Sequence, residues 1–110
     1  SVQQIRPHPD MLVYSASKAA MVNMVVSLAV QLAPFGINVN NLAPGIIETN
    51  RNKDVLNDPE YFEKAKSRIP LGYIAKPGDC AGLAVLLCSD AGKYITGEDI
   101  FVDGGMKIPN

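Results

Sequence analysis

Tyr14 and Lys18 stand four positions apart in Tyr14-Ser15-Ala16-Ser17-Lys18. On a helix that spacing puts both side-chain heads on one face. A phenol and an ammonium titrate at about 10 and about 10.4 in water. An ammonium beside a phenol favours the phenolate, which brings the phenol toward proton transfer at neutral pH. The pair could therefore exchange a proton with a reacting oxygen. Taken alone, the same spacing also fits a tyrosine packed in a core with a lysine snorkelling past it. His8 has no cysteine or second histidine at metal-binding spacing, so no metal site is expected. Cys80 and Cys88 are separated by eight positions, roughly 12 Å along a helix, too far for a disulfide. Free thiols suit a reducing compartment, and the expected location is cytoplasmic.

The elements that must position such a pair follow from charge and periodicity. There is no charged residue from Ala19 to Ile47, and there are ten from Glu48 to Arg68. Pro7-His8-Pro9-Asp10 reads as a turn, and a helix is predicted from Leu12 to Ala33 with Asp10 as its N-cap. Asn23, Ser27 and Gln31 form its one polar stripe, so it should pack on two partners. These residues, with Pro34 and Gly36 ending the apolar run below the ~20 residues of a span, argue against a membrane helix. Ile37 to Leu42 alternates apolar and polar residues as a strand does, and Ala43-Pro44-Gly45 breaks it. Asp58 to Arg68 is a charged helix with Pro59 in its first turn. Asp79 can cap a further apolar helix to about Cys88, and Ile100-Phe101-Val102 is a last strand.

Helix, strand, helix, helix, strand is the order of an α/β sheet built from crossovers. Two strands do not make an independent sheet. The chain also opens on Ser1-Val2-Gln3 rather than methionine. It is therefore expected to be incomplete or to assemble with other chains. A composition of 47% hydrophobic and 19% charged residues with net charge -1 gives no electrostatic case for nucleic acid or an anionic membrane.

Tyr14-Ser15-Ala16-Ser17-Lys18-Ala19-Ala20 closely resembles the active-site helix of the short-chain dehydrogenase/reductase family. Gly36 to Gly45 resembles the family's next strand and its proline-glycine turn, and Thr49 falls where the family has its threonine. Ile69-Pro70-Leu71-Gly72, Lys76-Pro77, Tyr94-Ile95-Thr96-Gly97 and Val102-Asp103-Gly104-Gly105 continue the likeness in order. The resemblance spans the chain and implies the C-terminal half of a Rossmann-type, parallel-sheet, three-layer α/β domain, residues 1–110. It implies NAD or NADP as cofactor. Tyr14 would be the general acid/base, and Lys18 would assist it and hydrogen-bond the nicotinamide ribose. Ser1, thirteen residues before Tyr14, would hold the reacting oxygen. Pro44, Gly45, Ile47 and Thr49 would contact the nicotinamide end, and residues 48–68 would form a substrate lid. The family's glycine-rich phosphate turn has no counterpart, since Gly104 and Gly105 follow a terminal strand. The piece alone is therefore expected to be inactive.

The segments around Tyr73 and Met106 look most like sugar dehydrogenases of the glucose 1-dehydrogenase type. The mixed charges of residues 48–68 favour a neutral sugar, polyol or small ketone. A 3-oxoacyl-carrier-protein reductase and an extended epimerase or dehydratase are the enzymatic alternatives. A truncated chain acting only as an assembly module is the non-catalytic one. The long helix leaves a second apolar face, assigned to Met21, Val22, Val25, Val26 and Ala29, expected to pack in a homodimer or homotetramer.

Overall fold

The computed structural model describes residues 1–109. Short 3-10 turns at Val2–Gln4 and Pro9–Met11 lead into helix α1, Leu12–Leu32. A further turn, Ala33–Phe35, ends at Gly36, whose φ of 70° lies in the left-handed region that a side chain would oppose. Strand β1, Asn41–Pro44, is followed by α2 (Lys53–Leu56), α3 (Pro59–Ser67), α4 (Ala81–Cys88) and strand β2, Asp99–Val102. The strands pair in parallel, Asn41 opposite Asp99 and Pro44 opposite Val102. The α/β class and the parallel crossover agree with the sequence reading.

The expected strand at Ile37–Leu42 begins later, at Asn41, and runs through Pro44 rather than stopping before it. Proline is tolerated because the N–H groups of Asn41 and Gly45 donate to Glu98 and Val102 at 2.8 and 2.9 Å. Residue 44, between them, turns its nitrogen away from β2. The alternation over Ile37 to Asn40 has another cause. Asn38 Nδ2 donates to the carbonyls of Gly92 and Lys93, and Asn40 Nδ2 to that of Ile95 at 2.9 Å. The Glu98 N–H donates to Asn40 Oδ1 at 3.0 Å. These asparagines bind the loop before β2 instead of facing water from a pleat. Gly97 closes the same loop, donating to Val39 O and resting on buried Ala29 of α1.

Both expected aspartate caps are corrected. Asp10 lies inside the Pro9–Met11 turn, and His8 caps it by accepting the Asp10 N–H at Nδ1, 3.2 Å. Met11 precedes α1 without a side-chain cap. Asp79 is the third residue of the turn Pro77–Cys80 and accepts the Lys76 N–H at 2.7 Å. Asp58 does cap α3, accepting the Glu60 N–H at 3.0 Å. Cys80 and Cys88 are both free thiols.

The buried side chains are small: Val2, Ser15, Ala29, Ala43, Ala65 and Ile69. A radius of gyration of 15.5 Å exceeds the about 13 Å of a compact chain this long, so the described residues do not wrap a large core. α1 is the main open surface. Its inward stripe is Tyr14, Ser15, Lys18, Val22, Val25, Ala29 and Leu32. Val22, Val25 and Ala29 therefore belong to the protein-facing side, not to the second apolar face assigned from sequence. The exposed apolar residues instead flank the Asn23/Ser27/Gln31 stripe, with Met24 and Leu28 on one side and Val26 and Val30 on the other. With its flanking turns the helix runs 27 residues, Pro9–Phe35, so length does not exclude a span as the sequence reading held.

Asn40 carries two hydrogen bonds across the β1–β2 junction. Asn40→Ala in the full-length protein is expected to lower unfolding free energy by about 1–3 kcal/mol. A denaturant titration checks this, and an unmoved midpoint would contradict the clamp.

Candidate active site

The site grows from the first turns of α1. Ser15 is buried, and its Oγ donates to Gln3 Oε1 at 3.0 Å. That bond fastens the Ser1–Gln4 turn to the helix one residue after Tyr14. Gln4 reaches the other way: its Nε2 donates to Asp99 Oδ2, while Asn41 Nδ2 donates to Asp99 Oδ1 at 2.6 Å. The turn is thus tied both to α1 and to the starts of the two strands. Ser1 Oγ accepts the Gln3 N–H at 3.3 Å.

Tyr14 and Lys18 are both half-buried on the inward stripe. The Lys18 ammonium lies 5.3 Å from the centre of the Tyr14 ring, within cation–π range, and 3.9 Å from Met21 Sδ.

Two clefts meet at Ser1, Tyr14, Pro44 and Gly45. The inner cleft, about 290 Å³, adds Lys18, Gln4 and Asn41. The outer cleft, about 430 Å³, adds Ile47, Thr49, Arg51, Asn52 and Tyr61. The structure therefore brings every residue singled out from sequence to one connected hollow, with a division of place. Lys18 lines only the inner part, and Ile47 and Thr49 only the outer. Tyr14 and Pro44-Gly45 stand at the boundary.

The loop after β1 is held by a residue that sequence reasoning missed. Asn52 Oδ1 accepts the Thr49 N–H at 2.8 Å, and its Nδ2 donates to Ile47 O at 2.8 Å. The only sequence signal was an asparagine three positions after Thr49, a spacing common to ordinary turns. Further on, the Glu48 N–H donates to Ala75 O at 2.8 Å, and Ile47 bridges Ala75 in parallel. Gln3, Gln4 and Asn41 also escaped notice, because single polar residues carry no periodicity.

A phenol hydroxyl that shares a hollow with a serine hydroxyl and an ammonium, at the junction of two clefts, has the chemistry to serve a reaction at an oxygen atom. The inner cleft also fits a nicotinamide riboside. Its donors are the Ser1 hydroxyl, the Tyr14 hydroxyl and the Lys18 ammonium, and no carboxylate lines it.

The family model described as Enoyl-(Acyl carrier protein) reductase matches residues 1–107. The chain is 43% identical over 95 residues to L-rhamnose 1-dehydrogenase (NAD(P)(+)) of Azotobacter vinelandii, covering 86% of this chain and 37% of that protein. It is 42% identical over 108 residues to 3beta-hydroxysteroid dehydrogenase 1 of Eggerthella lenta, covering 98% and 41%. Among solved structures, a gluconate 5-dehydrogenase from Burkholderia cenocepacia, in complex with NADP and tartrate, superposes with a TM-score of 0.93. That match is 31% identical and covers 100% of this chain and 43% of the other. The chain thus spans about 40% of the length of the curated relatives it matches. On its motifs, its parallel crossover and a family match over residues 1–107, the chain belongs to the short-chain dehydrogenase/reductase family.

Proposed function

We propose that the protein carrying this chain is an NAD(P)-dependent oxidoreductase that interconverts an alcohol and a carbonyl, on a sugar, polyol or small ketone. The observation that carries this reading is the meeting of Ser1, Tyr14, Lys18 and Pro44-Gly45 around one hollow. The sugar and hydroxysteroid relatives and the NADP-bound neighbour support it. Bound NAD or NADP would supply the hydride acceptor for alcohol oxidation or the hydride donor for carbonyl reduction.

The chain's own residues handle the oxygen and its proton. Tyr14 takes the hydroxyl proton as the alcohol becomes a carbonyl, and returns it in the reverse direction. Ser1 donates a hydrogen bond to the same oxygen. Lys18, beside the Tyr14 ring, supplies positive charge near the phenol and hydrogen-bonds the nicotinamide ribose. Pro44 and Gly45 present backbone to the nicotinamide, and Ile47 and Thr49 continue that wall. Residues 48–68, hinged on the Asn52 and Glu48 contacts, serve as the substrate lid, since the loop and two short helices expose most of their side chains. The free thiols of Cys80 and Cys88 support a cytoplasmic setting.

The partner proposed is a second copy of the chain. Met24, Leu28, Val26 and Val30 expose apolar surface on either flank of the polar stripe, a patch that soluble monomers rarely leave open. A two-fold axis covers it with one set of residues. This reading places α1 in a homodimer or homotetramer and not in a membrane.

In the full-length protein, Tyr14→Phe is expected to lower kcat by ~10²–10⁴-fold while NADP affinity stays within a few-fold. Steady-state kinetics and calorimetry check this, and near-normal turnover would remove Tyr14 from the proton-transfer role. Residues 1–110 alone are expected to show no saturable NADP binding by calorimetry, because no glycine-rich turn opens a helix here to receive the pyrophosphate. Val26→Lys is expected to dissociate or precipitate the full-length oligomer, read by light scattering. A wild-type monomer at micromolar concentration would overturn the assembly reading.

A further inference from the structure

Beside the outer cleft lies a side chamber of about 350 Å³ lined by Arg6, His8, Tyr61, Arg68 and Met106 among others. It shares Gln3, Ile46, Tyr61 and Met106 with the outer cleft, so the two are continuous. Arg51 lines the outer cleft itself. No aspartate or glutamate lines either hollow. Among the described residues, the carboxylates within 4.0 Å of a basic side chain are Asp10, 3.7 Å from His8 Nδ1, and Glu63, 3.9 Å from Lys66 Nζ, so Arg6, Arg51 and Arg68 have no carboxylate partner.

The asymmetry comes from folding, not from composition. Residues 48–68 carry five acids and five bases. Of these only Arg51 and Arg68 line the two hollows, while Glu48, Asp54, Asp58, Glu60 and Glu63 do not. Arg6 comes from the other wall. Its Nη1 donates to the carbonyls of Met106 and Ile108 at 2.9 and 3.2 Å, which fixes the guanidinium at the chamber edge. The Nη2 and Nε N–H groups remain for a ligand, and a guanidinium matches the planar face of an oxyanion.

We infer that the substrate is anionic, a hydroxy or oxo compound whose carboxylate or phosphate enters the chamber and is held by Arg6, Arg51 and Arg68 while its carbinol carbon sits at Tyr14. This deepens the oxidoreductase reading and rests on it. It also replaces the neutral substrate favoured by the sequence, because the acids that balanced the count do not face the hollow. The anion fixes which end of the molecule reaches Tyr14, so Arg51 and Arg68 act as specificity determinants.

The test uses the full-length protein with D-glucitol, D-gluconate and D-glucitol 6-phosphate as probes. Calorimetry in the presence of NADP gives their affinities without requiring turnover, and kcat/KM follows for those oxidised. Tighter binding of gluconate or the phosphate ester than of glucitol is expected, and which of the two leads identifies the anion. Arg68→Gln and Arg51→Gln are each expected to lower the preference for the anion over glucitol by about 10–100-fold, mainly through affinity and KM. Lys93→Gln, a charge lost away from both hollows, should leave it within about twofold. Equal or weaker anion binding, or a preference untouched by both arginine variants, would overturn the inference. If Tyr14→Phe retains turnover while the anion preference responds to Arg68, the oxidoreductase role of Tyr14 fails and the anion site stands.

Discussion

The close approach of Gly45 to Asp103 is the constraint on which the site depends. A side-chain carbon at residue 45 would stand 2.8 Å from Asp103 Cα, closer than such atoms pack. With glycine there, its N–H donates to Val102 O at 2.9 Å and the parallel ladder continues one residue past β1. The chain then leaves the sheet against the start of the final turn and becomes the wall that both clefts share. Asp103 holds that turn from the other side, accepting the N–H groups of Gly105 and Lys107 at 3.0 and 2.7 Å. Gly104 and Gly105, both at positive φ, pass beneath Ile69 and Pro70, where side chains would collide with them. One backbone contact thereby sets the post-strand loop, the C-terminal turn and the end of the charged segment together.

α1 supplies the other half. Its inward stripe carries Tyr14 and Lys18 at its first turns and small or β-branched residues after them, and the helix rests through Ala29 on Gly97 of the loop before β2. The bond from Ser15 to Gln3 then brings Ser1 to the same end. Three separate chain segments meet at one point with no disulfide or metal ligand set among the described residues. Hydrogen bonds from asparagine and glutamine do much of the joining, through Asn38, Asn40, Asn41, Asn52, Gln3 and Gln4.

Those amide side chains also mark where sequence reading stopped. The helix from Leu12 and the charged helix with Pro59 in its first turn were legible because apolar periodicity and a first-turn proline are local signals. Tyr14, Lys18, Pro44, Gly45 and Thr49 were legible because their spacing matched a family pattern. The strand was misplaced because Asn38 and Asn40 imitate a solvent-facing alternation while binding a loop more than fifty residues away. Asp10 and Asp79 have the residue type of an N-cap, but each lies inside its turn. The two apolar flanks of α1 were confused with its inward face, since a helix apolar nearly all round gives periodicity no contrast. Charge counting over residues 48–68 does not separate the arginines that line the hollows from the acids that do not, since sign is local but the direction each side chain faces is tertiary.

The central claim is that the hollow between Tyr14 and Pro44-Gly45 is where an alcohol and a nicotinamide meet. The most direct measurement is a crystal structure of the full-length protein grown with NADP. The account predicts nicotinamide density in the inner cleft, its ribose within hydrogen-bond distance of Lys18 and Tyr14, and the outer cleft left open toward Arg51 and Tyr61. Nicotinamide bound away from Tyr14 and Lys18, or a saturated protein with that cleft filled by its own side chains, would contradict it.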